Sequence, residues 1–442
     1  MDKTVLALKI AERVKEEGGR VFYVGGCVRD FLLGVENKDI DIEVHGITPE
    51  ALKRILEEFG TPLSFGKSFG VYSLKGYDID IAMPRREKAI GKGHRDFEVD
   101  VDPFIGLKEA ARRRDFTINA LMKDVLTGEI IDPFGGVKDL QDKILRCVDE
   151  RTFAEDPLRV LRCGQFASRF RFSIDQKTLE LCKSIDLSTL HAQRVNEELE
   201  KALLKADTPS IFFTSLRDMD QLSYWFKELE ELIGLKQDPI YHPEGDVFTH
   251  TMEVLDRGAK YRDKVKEPYA FMLLCLSHDL GKIVTTETIN GRIHAYGHEI
   301  EGLPLIENFY HRFLDEKEPL KYILNMTPLH MRPFSLASAN ASIKSTNRMF
   351  DEAMEPEDLI YFSLADKGER AEKKDIDYLF ARYEIYKEYM ARDYVKGKDL
   401  IDAGLKPDGK FSDILAYAHK LRLAGVDKDS ALKQTLAYAR KL

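Results

Sequence analysis

The pattern of apolar and polar residues divides the chain into two parts. Up to about residue 145, four short apolar runs predict strands: 21–26 (VFYVGG), 39–44 (DIDIEV), 71–76 (VYSLKG) and 77–83 (YDIDIAM). Segment 47–60 has apolar residues at helical spacing and predicts a helix capped by Thr48. Segment 84–106 is polar, charged and glycine-bearing, and it predicts a mobile loop.

Apolar residues recur with helical period in almost every segment after residue 146. The predicted helices span residues 156–170, 175–185, 192–205, 209–222, 247–262, 268–281, 356–392 and 428–441. We therefore predict an α+β protein, in which an α/β head with a mixed or antiparallel sheet is followed by an elongated, all-α neck, body and tail.

Composition and length narrow the classes of protein to which the chain can belong. Its 442 residues predict two to four domains, and a hydrophobic content of 43% is ordinary for a folded soluble protein. The longest apolar run, near 268–277, is too short to span a bilayer, and the N-terminus does not resemble a signal peptide. Five cysteines without a CxxC pair fit reduced thiols, so we expect a cytoplasmic protein without a membrane partner.

Net charge alone does not identify a nucleic-acid-binding protein here. The formal charge of −9 gives no indication of a nucleic-acid partner. It does not exclude one, because a local basic stripe is enough to engage phosphates. The three arginines at 112–114 form such a local patch.

Two aspartates lie on one face of a predicted strand. Asp39 and Asp41 are two residues apart, so their carboxylates point to the same side. Like charges this close are costly unless a cation lies between them, and Mg²⁺ prefers carboxylate oxygens together with substrate phosphates. Asp80, in preference to Asp78, could complete the metal site from a second strand. The alternative is an edge strand whose solvated aspartates prevent aggregation.

A glycine pair precedes these aspartates at the start of a predicted helix. Gly25 and Gly26 would let backbone N–H groups approach a phosphate, and Arg29, one turn into the helix, can add positive charge. The glycine turn and the second DID sequence weigh against the edge-strand alternative.

A carboxylate and two guanidinium groups recur at three-residue spacing where the helical part begins. Asp156, Arg159 and Arg162 lie on one side of the start of a predicted helix. Cytosine and adenine present an amino donor beside a ring-nitrogen acceptor, whereas guanine and uracil present the reverse pattern. An Asp–Arg pair can therefore accept C or A and refuse G or U. The alternative is that Asp156 only caps the helix while the arginines lie on its surface.

These motifs together resemble the bacterial class II tRNA nucleotidyltransferases, the family of CCA-adding enzymes and poly(A) polymerases. The resemblance covers essentially the whole chain and depends on motifs in one order: GGCVRD (25–30), KDIDIEV (38–44), RRRDFTINAL (112–121), DPFGGVKDLQDKILR (132–146) and EDPLRVLR (155–162). It implies a nucleotidyltransferase head at 1–145, a neck for base recognition at 146–205, a body at 206–370 and a tRNA-binding helical tail at 371–442.

The resemblance also implies roles for the acidic and glycine motifs of the head. Asp39 and Asp41 would hold Mg²⁺ for attack of a tRNA 3′-hydroxyl on the α-phosphate of CTP or ATP. Gly26 and Arg29 would contact the triphosphate.

For the motifs that follow, the resemblance implies contacts with the nucleotide. Arg114 and Asp115 would hold the incoming nucleotide, with the aspartate at the ribose. Asp156 and Arg159 would be the amino-acid template, and Arg162 would add charge or stacking. The segment HAQRVNEELEKAL, at 191–203, resembles the neck helix behind that template, where Arg194 and Glu197 would brace it.

The body contains a second set of metal-ligand residues. His250, the pair His278–Asp279, and Asp366 occur in the order H…HD…D, each at a predicted helix. Such ligands suit a transition metal or Mg²⁺, and an open coordination position would activate water. The order resembles the HD phosphohydrolase superfamily, which implies an HD domain at about 245–370 that acts as a phosphatase and 2′,3′-cyclic phosphodiesterase on RNA ends. Four further residues could serve phosphate or a second metal, or be polar surface residues: His242, Lys282, His294 and His298.

Several functional alternatives stay open at this point. We expect tRNA, CTP and ATP as partners and full CCA addition. By resemblance to the family, the retained loop at 84–106 favours addition of the full CCA or of the terminal A, because enzymes that add only CC have a shortened loop. An enzyme that adds only A, a poly(A) polymerase, and an HD phosphohydrolase that binds tRNA through an inactive head are the alternatives. A nucleotide-binding regulator without tRNA is a further alternative, against which the neck motif argues. The sequence does not predict an oligomeric state.

Overall fold

The computed structural model describes residues 2–35, 40–64, 70–89 and 97–442, which form two units. Unit 1 comprises Met1–Ala202 with Ile211–Tyr224, and unit 2 comprises Leu203–Ser210 with Trp225–Leu442. The domain boundaries expected at residues 145, 205 and 370 remain predictions.

Unit 1 contains the main sheet. Its strands are β1 (Arg20–Val24), β2 (Asp41–His45), β3 (Pro62–Ser64), β4 (Val71–Leu74), β5 (Asp80–Ala82), β6 (Arg85–Ala89), β7 (Phe97–Val101), β8 (Met122–Asp124), β9 (Ile130–Ile131), β10 (Ile144–Leu145) and β11 (Ser173–Ile174). Seven of them form one sheet in the order β3-β4-β5-β2-β1-β8-β9. Only the β2–β5 pair in this sheet is parallel among the described strands. The predicted α+β class, with a mixed sheet in the head, is confirmed.

Helices cover the sheet and continue beyond it. The helices of this part of the chain are α1 (Lys3–Glu16), α2 (Gly26–Leu32), α3 (Pro49–Glu57), α4 (Leu107–Arg112), α5 (Gly136–Asp142), α6 (Glu150–Ala154), α7 (Leu158–Phe170), α8 (Gln176–Lys183), α9 (Ala192–Lys205) and α10 (Ser210–Asp218). Ile10 of α1 packs in one core with Ile42 and Val44 of β2. Side chains alternate along a strand, so Asp41 and Glu43 of β2 lie on the opposite face of the sheet.

Segment 84–106 differs from its prediction. β6 and β7 form an antiparallel ladder in which Arg85 pairs with Val101, so the expectation of a loop throughout this segment is wrong for those residues. The sequence FEVDV at 97–101 alternates apolar and acidic residues, which is a strand pattern that the many charges of the segment obscured. Residues 90–96 lie outside the described part of the chain.

Unit 2 is mainly helical. Its helices are α11 (Lys227–Glu231), α12 (Val247–Ala259), α13 (Pro268–Ser277), α14 (Lys282–Thr285), α15 (His298–Glu301), α16 (Leu303–Tyr310), α17 (Lys317–Met326), α18 (Arg332–Ser338), α19 (Ile343–Glu352), α20 (Pro356–Lys367), α21 (Lys373–Ala391), α22 (Gly397–Asp402), α23 (Phe411–Leu423) and α24 (Lys428–Ala439). The helix predicted over 356–392 is two helices, α20 and α21. No helix in the described ranges is long and apolar enough to cross a bilayer.

One hairpin interrupts the helices of unit 2 and was missed from the sequence. Strands β12 (Glu287–Ile289) and β13 (Arg292–His294) are joined by Asn290 and Gly291. Both turn residues have positive φ, at 49° and 79°, as a two-residue turn of this type requires. The Asn-Gly pair was the available signal for this hairpin.

A glycine contact places α15 against the start of α14. A Cβ at Gly281 would lie 2.0 Å from the backbone oxygen of His298 and 2.9 Å from Cα of Gly302. These neighbours are backbone atoms, so they cannot move aside as a flexible side chain would. Only glycine permits the approach that puts His298 next to α14.

We expect Gly281→Ala to lower the free energy of unfolding of unit 2 by about 2 kcal/mol or more, because the new methyl group overlaps backbone atoms. Gly409→Ala is the matched control, since a Cβ at Gly409 has no atom within 4 Å. Thermal unfolding followed by circular dichroism measures both variants. Equal midpoint temperatures of unfolding for the two variants would contradict the close approach of His298 to Gly281.

Candidate active sites

The first candidate site lies on the face of the sheet that carries the acidic residues. Asp41, the first residue of β2, lies opposite Asp80, the first residue of β5, in the parallel register. Paired residues on neighbouring strands point to the same side, so both carboxylates belong to one face. Asp78 precedes β5 and pairs with Lys3 at 3.6 Å. Asp39 lies outside the described residues.

β2 is an inner strand of the sheet. It is hydrogen-bonded to β1 on one side and to β5 on the other. The edge-strand alternative for this acidic segment is therefore wrong. The second acidic residue of β2, Glu43, is buried with 0% exposure.

Glu43 joins β2 to the RRRD motif and was missed in the sequence. Its Oε2 accepts a hydrogen bond from Arg113 at 3.0 Å and lies 3.6 Å from Nη2 of Arg114, while Oε1 lies 3.0 Å from His45 Nε2. Burial raises the pKa of Glu43, but His45 and the two arginines lower it to about 2. The carboxylate therefore stays charged. The alternation of Asp41 and Glu43 along KDIDIEV was a signal for it.

Arg114 lies between this carboxylate and the glycine turn. Its Nη1 atom is 3.2 Å from the place that a Cβ on Gly25 would occupy, and Gly25 has a φ of +66°. A side chain at position 25 would thus meet both backbone strain and the guanidinium group. Gly26 follows as the first residue of α2.

A second set of polar contacts joins Asp115 to helix α7. Arg162 of α7 donates to Oδ2 of Asp115 at 2.8 Å, and Asn119 donates to Oδ1 at 2.9 Å. Burial raises the pKa of Asp115, and Arg162 and Asn119 lower it below its usual value. Arg29 donates to Asn119 at 2.6 Å and pairs with Asp30 at 2.7 Å. Arg29 is only 4% exposed, so its guanidinium is held inside the head.

The predicted template pair lies at the start of α7 and touches the RRRD motif. Arg159 donates to the backbone oxygens of Arg113 and Thr152, each at 2.6 Å. Asp156 accepts from the backbone nitrogen of Leu158 at 3.2 Å, and pairs with Arg194 at 3.2 Å. Asp156 thus accepts a hydrogen bond from the first residue of α7, although Pro157 is the N-cap residue, and its carboxylate also contacts helix α9.

The second candidate site, in unit 2, contains four buried histidines. In three of them Nδ1 lies beside a backbone carbonyl oxygen three residues earlier, at 3.2 Å for His278, 2.8 Å for His298 and 2.7 Å for His330. Donation from Nδ1–H to these carbonyls leaves Nε2 as the ligand atom. His250 instead places Nδ1 2.7 Å from the carboxylate of Glu244.

The Nε2 atoms converge on two carboxylates, buried Asp279 and partly exposed Asp366. Asp279 lies 3.3 Å from His278 Nε2 and 3.2 Å from His298 Nε2, and Asp366 lies 3.0 Å from His250 Nε2. The Nε2 atoms of His298 and His330 are 3.3 Å apart. Burial raises the pKa of Asp279, but the cations around it, led by Lys282, hold that pKa well below its usual value.

These donor atoms fit divalent metal ions. Nε2 of His278 is buried and has no hydrogen-bond partner, as expected of an atom whose partner is a metal ion. Two sets have ligand atoms within 4.8 Å of one another and share Asp279, namely His250 with His278 and Asp279, and Asp279 with His298 and His330. Imidazole and carboxylate together favour a transition metal.

The structure also places the four further residues that could serve phosphate or a second metal. Lys282 is buried and pairs with Asp279 at 2.7 Å, and His298 belongs to the cluster. His242 contacts Glu244 at 3.0 Å. His294 stacks on Tyr296 outside the cluster. Sequence reasoning missed Glu244 and His330, because neither belongs to a local motif.

The charge on Glu43 predicts a pH dependence of stability. Its pKa is about 2 in the folded state and 4.5 in the reference state, so its contribution is complete above pH 4.5 and is lost as the pH falls toward 2. We expect Glu43→Gln to lower the free energy of unfolding by about 3 kcal/mol at pH 7, and by less at each lower pH below 4.5. Urea unfolding between pH 7 and pH 3.5 measures this difference. The control is Glu57→Gln, a substitution of an exposed residue of α3. A pH-independent difference for Glu43→Gln would contradict the account.

Comparisons with known proteins agree with this architecture. Residues 21–146 match the model of the poly A polymerase head domain, and residues 247–371 match that of the HD domain. The structure of a Thermotoga maritima CCA-adding enzyme complexed with tRNA is similar, with a TM-score of 0.67 and 21% identity, over 99% of this chain and 96% of that chain. An apo CCA-adding enzyme structure gives a TM-score of 0.70 at 21% identity, over 99% and 96% of the two chains.

Curated relatives are more similar to this chain in sequence than these two solved structures are. The multifunctional CCA protein of Aromatoleum aromaticum is 39% identical over 285 residues, which is 63% of this chain and 67% of that protein. The multifunctional CCA protein of Alkalilimnicola ehrlichii is 33% identical over 398 residues, which is 88% of this chain and 93% of that protein. The chain therefore belongs to the family of multifunctional CCA proteins, as its motifs indicated.

Proposed function

We propose that the protein is a tRNA nucleotidyltransferase that adds or repairs the 3′-terminal CCA of tRNA from CTP and ATP. The observation that carries this proposal is the continuous set of buried polar contacts that joins β2, the RRRD motif and α7. These contacts fix the acidic strand and the Asp156–Arg159 pair relative to each other. Relatives are named multifunctional CCA proteins, and similar structures contain tRNA, ATP or CTP.

The acidic face would hold the metal ion of the head. Families of this kind generally use divalent metals. Asp39, Asp41 and Asp80 would bind Mg²⁺, which supplies charge neutralisation for in-line attack of the 3′-hydroxyl on the α-phosphate. The paired register of Asp41 and Asp80 supports this assignment. Arg114 would add positive charge beside the backbone N–H groups of Gly26.

Asp156 and Arg159 would select the base. Arg159 uses its two terminal nitrogens for the carbonyls of Arg113 and Thr152, which still leaves Nε–H and further N–H groups for a base acceptor. Asp156 would accept from the amino group of cytosine or adenine while Arg194 holds its carboxylate in place. The fixed pair replaces a nucleic-acid template.

The remaining head residues differ in how freely they can reach a nucleotide. Arg29 is buried and committed to Asp30 and Asn119, so we assign it the role of holding Asn119 against Asp115. Asp115 and Arg162 pair with each other, and their contact with the ribose or base remains a prediction. Their shared function would be to fix α7 relative to the sheet.

Primer extension tests the head function. Transcripts that end before CCA, after C and after CC are each incubated with CTP alone, ATP alone or both nucleotides. We expect completion of all three ends when both nucleotides are present. Addition of A only to the CC-ended transcript would instead identify an A-adding enzyme, and long A tracts would identify a poly(A) polymerase.

We expect Asp41→Asn to reduce incorporation by at least about 10³-fold with little change in thermal stability, because a metal ligand is lost without loss of packing. Asp78→Asn is the matched control, since this nearby carboxylate has a side chain that is 87% exposed. Single-turnover incorporation of CTP measures both variants. Near wild-type activity of Asp41→Asn would contradict the metal role.

The histidine cluster supports a second activity, hydrolysis of phosphoesters at RNA ends. We propose that His250, His278, Asp279 and Asp366 hold one divalent ion, and that Asp279, His298 and His330 hold another. Such ions supply an activated water nucleophile. Glu244 would orient His250, and Lys282 would keep Asp279 charged and offer a cation to the phosphate.

Asp279→Ala removes the carboxylate that both ligand sets share. We expect it to abolish hydrolysis of 2′,3′-cyclic AMP and to leave CCA addition within about twofold of wild type. Asp263→Ala, an exposed aspartate of unit 2, is the control. Chelation should remove the hydrolytic activity, and added transition-metal ions should restore it better than Mg²⁺. Loss of both activities in Asp279→Ala would contradict two independent sites.

A further inference from the structure

The histidine cluster opens into a cavity with an aromatic rim. The cavity has a volume of about 620 Å³, and Asp279, His298 and His330 lie in its wall together with Tyr241 and Tyr296. The polar metal-ligand residues are buried, whereas Tyr241 and Tyr296 are 65% and 70% exposed. A ligand that reaches the cluster would therefore pass exposed aromatic side chains.

The β12–β13 hairpin presents one of these rings in a fixed position. Tyr296 stacks on His294 of β13, with ring centroids 4.8 Å apart and planes at 15°. The Asn290–Gly291 turn sets the register of the hairpin, so the position of His294 follows from local sequence. Tyr296 is 70% exposed even though one face contacts His294, so the other face of the ring is open.

Charged groups around the rim are mixed in sign. Lys236 and Arg292 line the cavity with Asp238 and Glu299, and Lys282, which is buried, lines it beside Asp279. The cations are suited to a phosphate group. The rim as a whole, however, carries charges of both signs, and neither sign dominates. The chemical feature that distinguishes this rim is therefore its aromatic surface, because an open aromatic face stacks on a nucleobase of any sequence.

We propose that the stacked pair Tyr296–His294 binds the nucleobase of the substrate of the histidine cluster. The proposal rests on the proposed phosphohydrolase function and adds a binding site for the base of its substrate, a nucleoside 2′,3′-cyclic phosphate or the equivalent 3′-terminal residue of an RNA. Water adds to phosphorus, the bond from phosphorus to one ribose oxygen breaks, and that oxygen receives a proton from the water. Base stacking would place this bond at the cluster.

The test compares a substrate that has a base with one that does not. In Tyr296→Ala, KM for 2′,3′-cyclic AMP rises about tenfold or more while kcat stays within about twofold. For glycerol 1,2-cyclic phosphate, which has no base, kcat/KM is unchanged. Tyr296→Phe keeps the ring and behaves as wild type. Tyr224→Ala, a half-exposed tyrosine of unit 1, is the control.

Equal losses with both esters, or no change with either, overturn the stacking proposal. If the wild-type protein hydrolyses neither ester, the phosphohydrolase function fails, and binding of 2′-AMP in the presence of Mn²⁺, measured by calorimetry, decides the stacking proposal. A Kd about tenfold higher in Tyr296→Ala than in Tyr224→Ala supports it. Equal Kd values in the two variants overturn it.

Discussion

Two buried carboxylates determine how the head is assembled. Glu43 holds Arg113 and Arg114 against the acidic strand, and Asp115 holds Arg162 of α7. Removing one partner would leave a charge buried without compensation, so these contacts favour a single arrangement. These contacts fix the relative positions of the acidic strand, the glycine turn and the Asp156–Arg159 pair. The proposed protein template needs such rigidity, because selection between bases depends on hydrogen-bond geometry.

The geometry of the histidine cluster in unit 2 is fixed by contacts with the backbone. Backbone carbonyls at the ends of helices and turns accept from Nδ1 of three histidines, which fixes each tautomer and directs Nε2 to a common centre. Glycine contacts between α14 and the α15 region bring His298 to Asp279, and the adjoining hairpin brings Tyr296 to the same cavity. Local backbone structure thus determines the positions of both the metal-ligand residues and the aromatic side chain at the rim of the cavity.

Much of this organisation could be predicted from the sequence, and the exceptions have physical causes. The strands, the order of motifs and the H…HD…D residues depend on local periodicity or short motifs, and the α+β class and family are confirmed. Glu43 and His330 were missed because their importance comes from tertiary contacts with residues distant in the chain. The β6–β7 ladder was hidden by charge. The contact expected between Arg29 and the triphosphate stays a prediction, and the structure adds that Arg29 is buried and pairs with Asp30 and Asn119.

The central claim is the proposal that Asp156 and Arg159 select the base. The selectivity among the four nucleotides tests it most directly. Asp156→Ala removes the acceptor for the amino group of cytosine and adenine while Arg159 remains anchored to Arg113 and Thr152. The account predicts that the ratio of kcat/KM for CTP to that for UTP falls at least about tenfold, which corresponds to about 1.4 kcal/mol. An unchanged ratio, with an equal loss of rate for all four nucleotides, would show that the base is selected elsewhere.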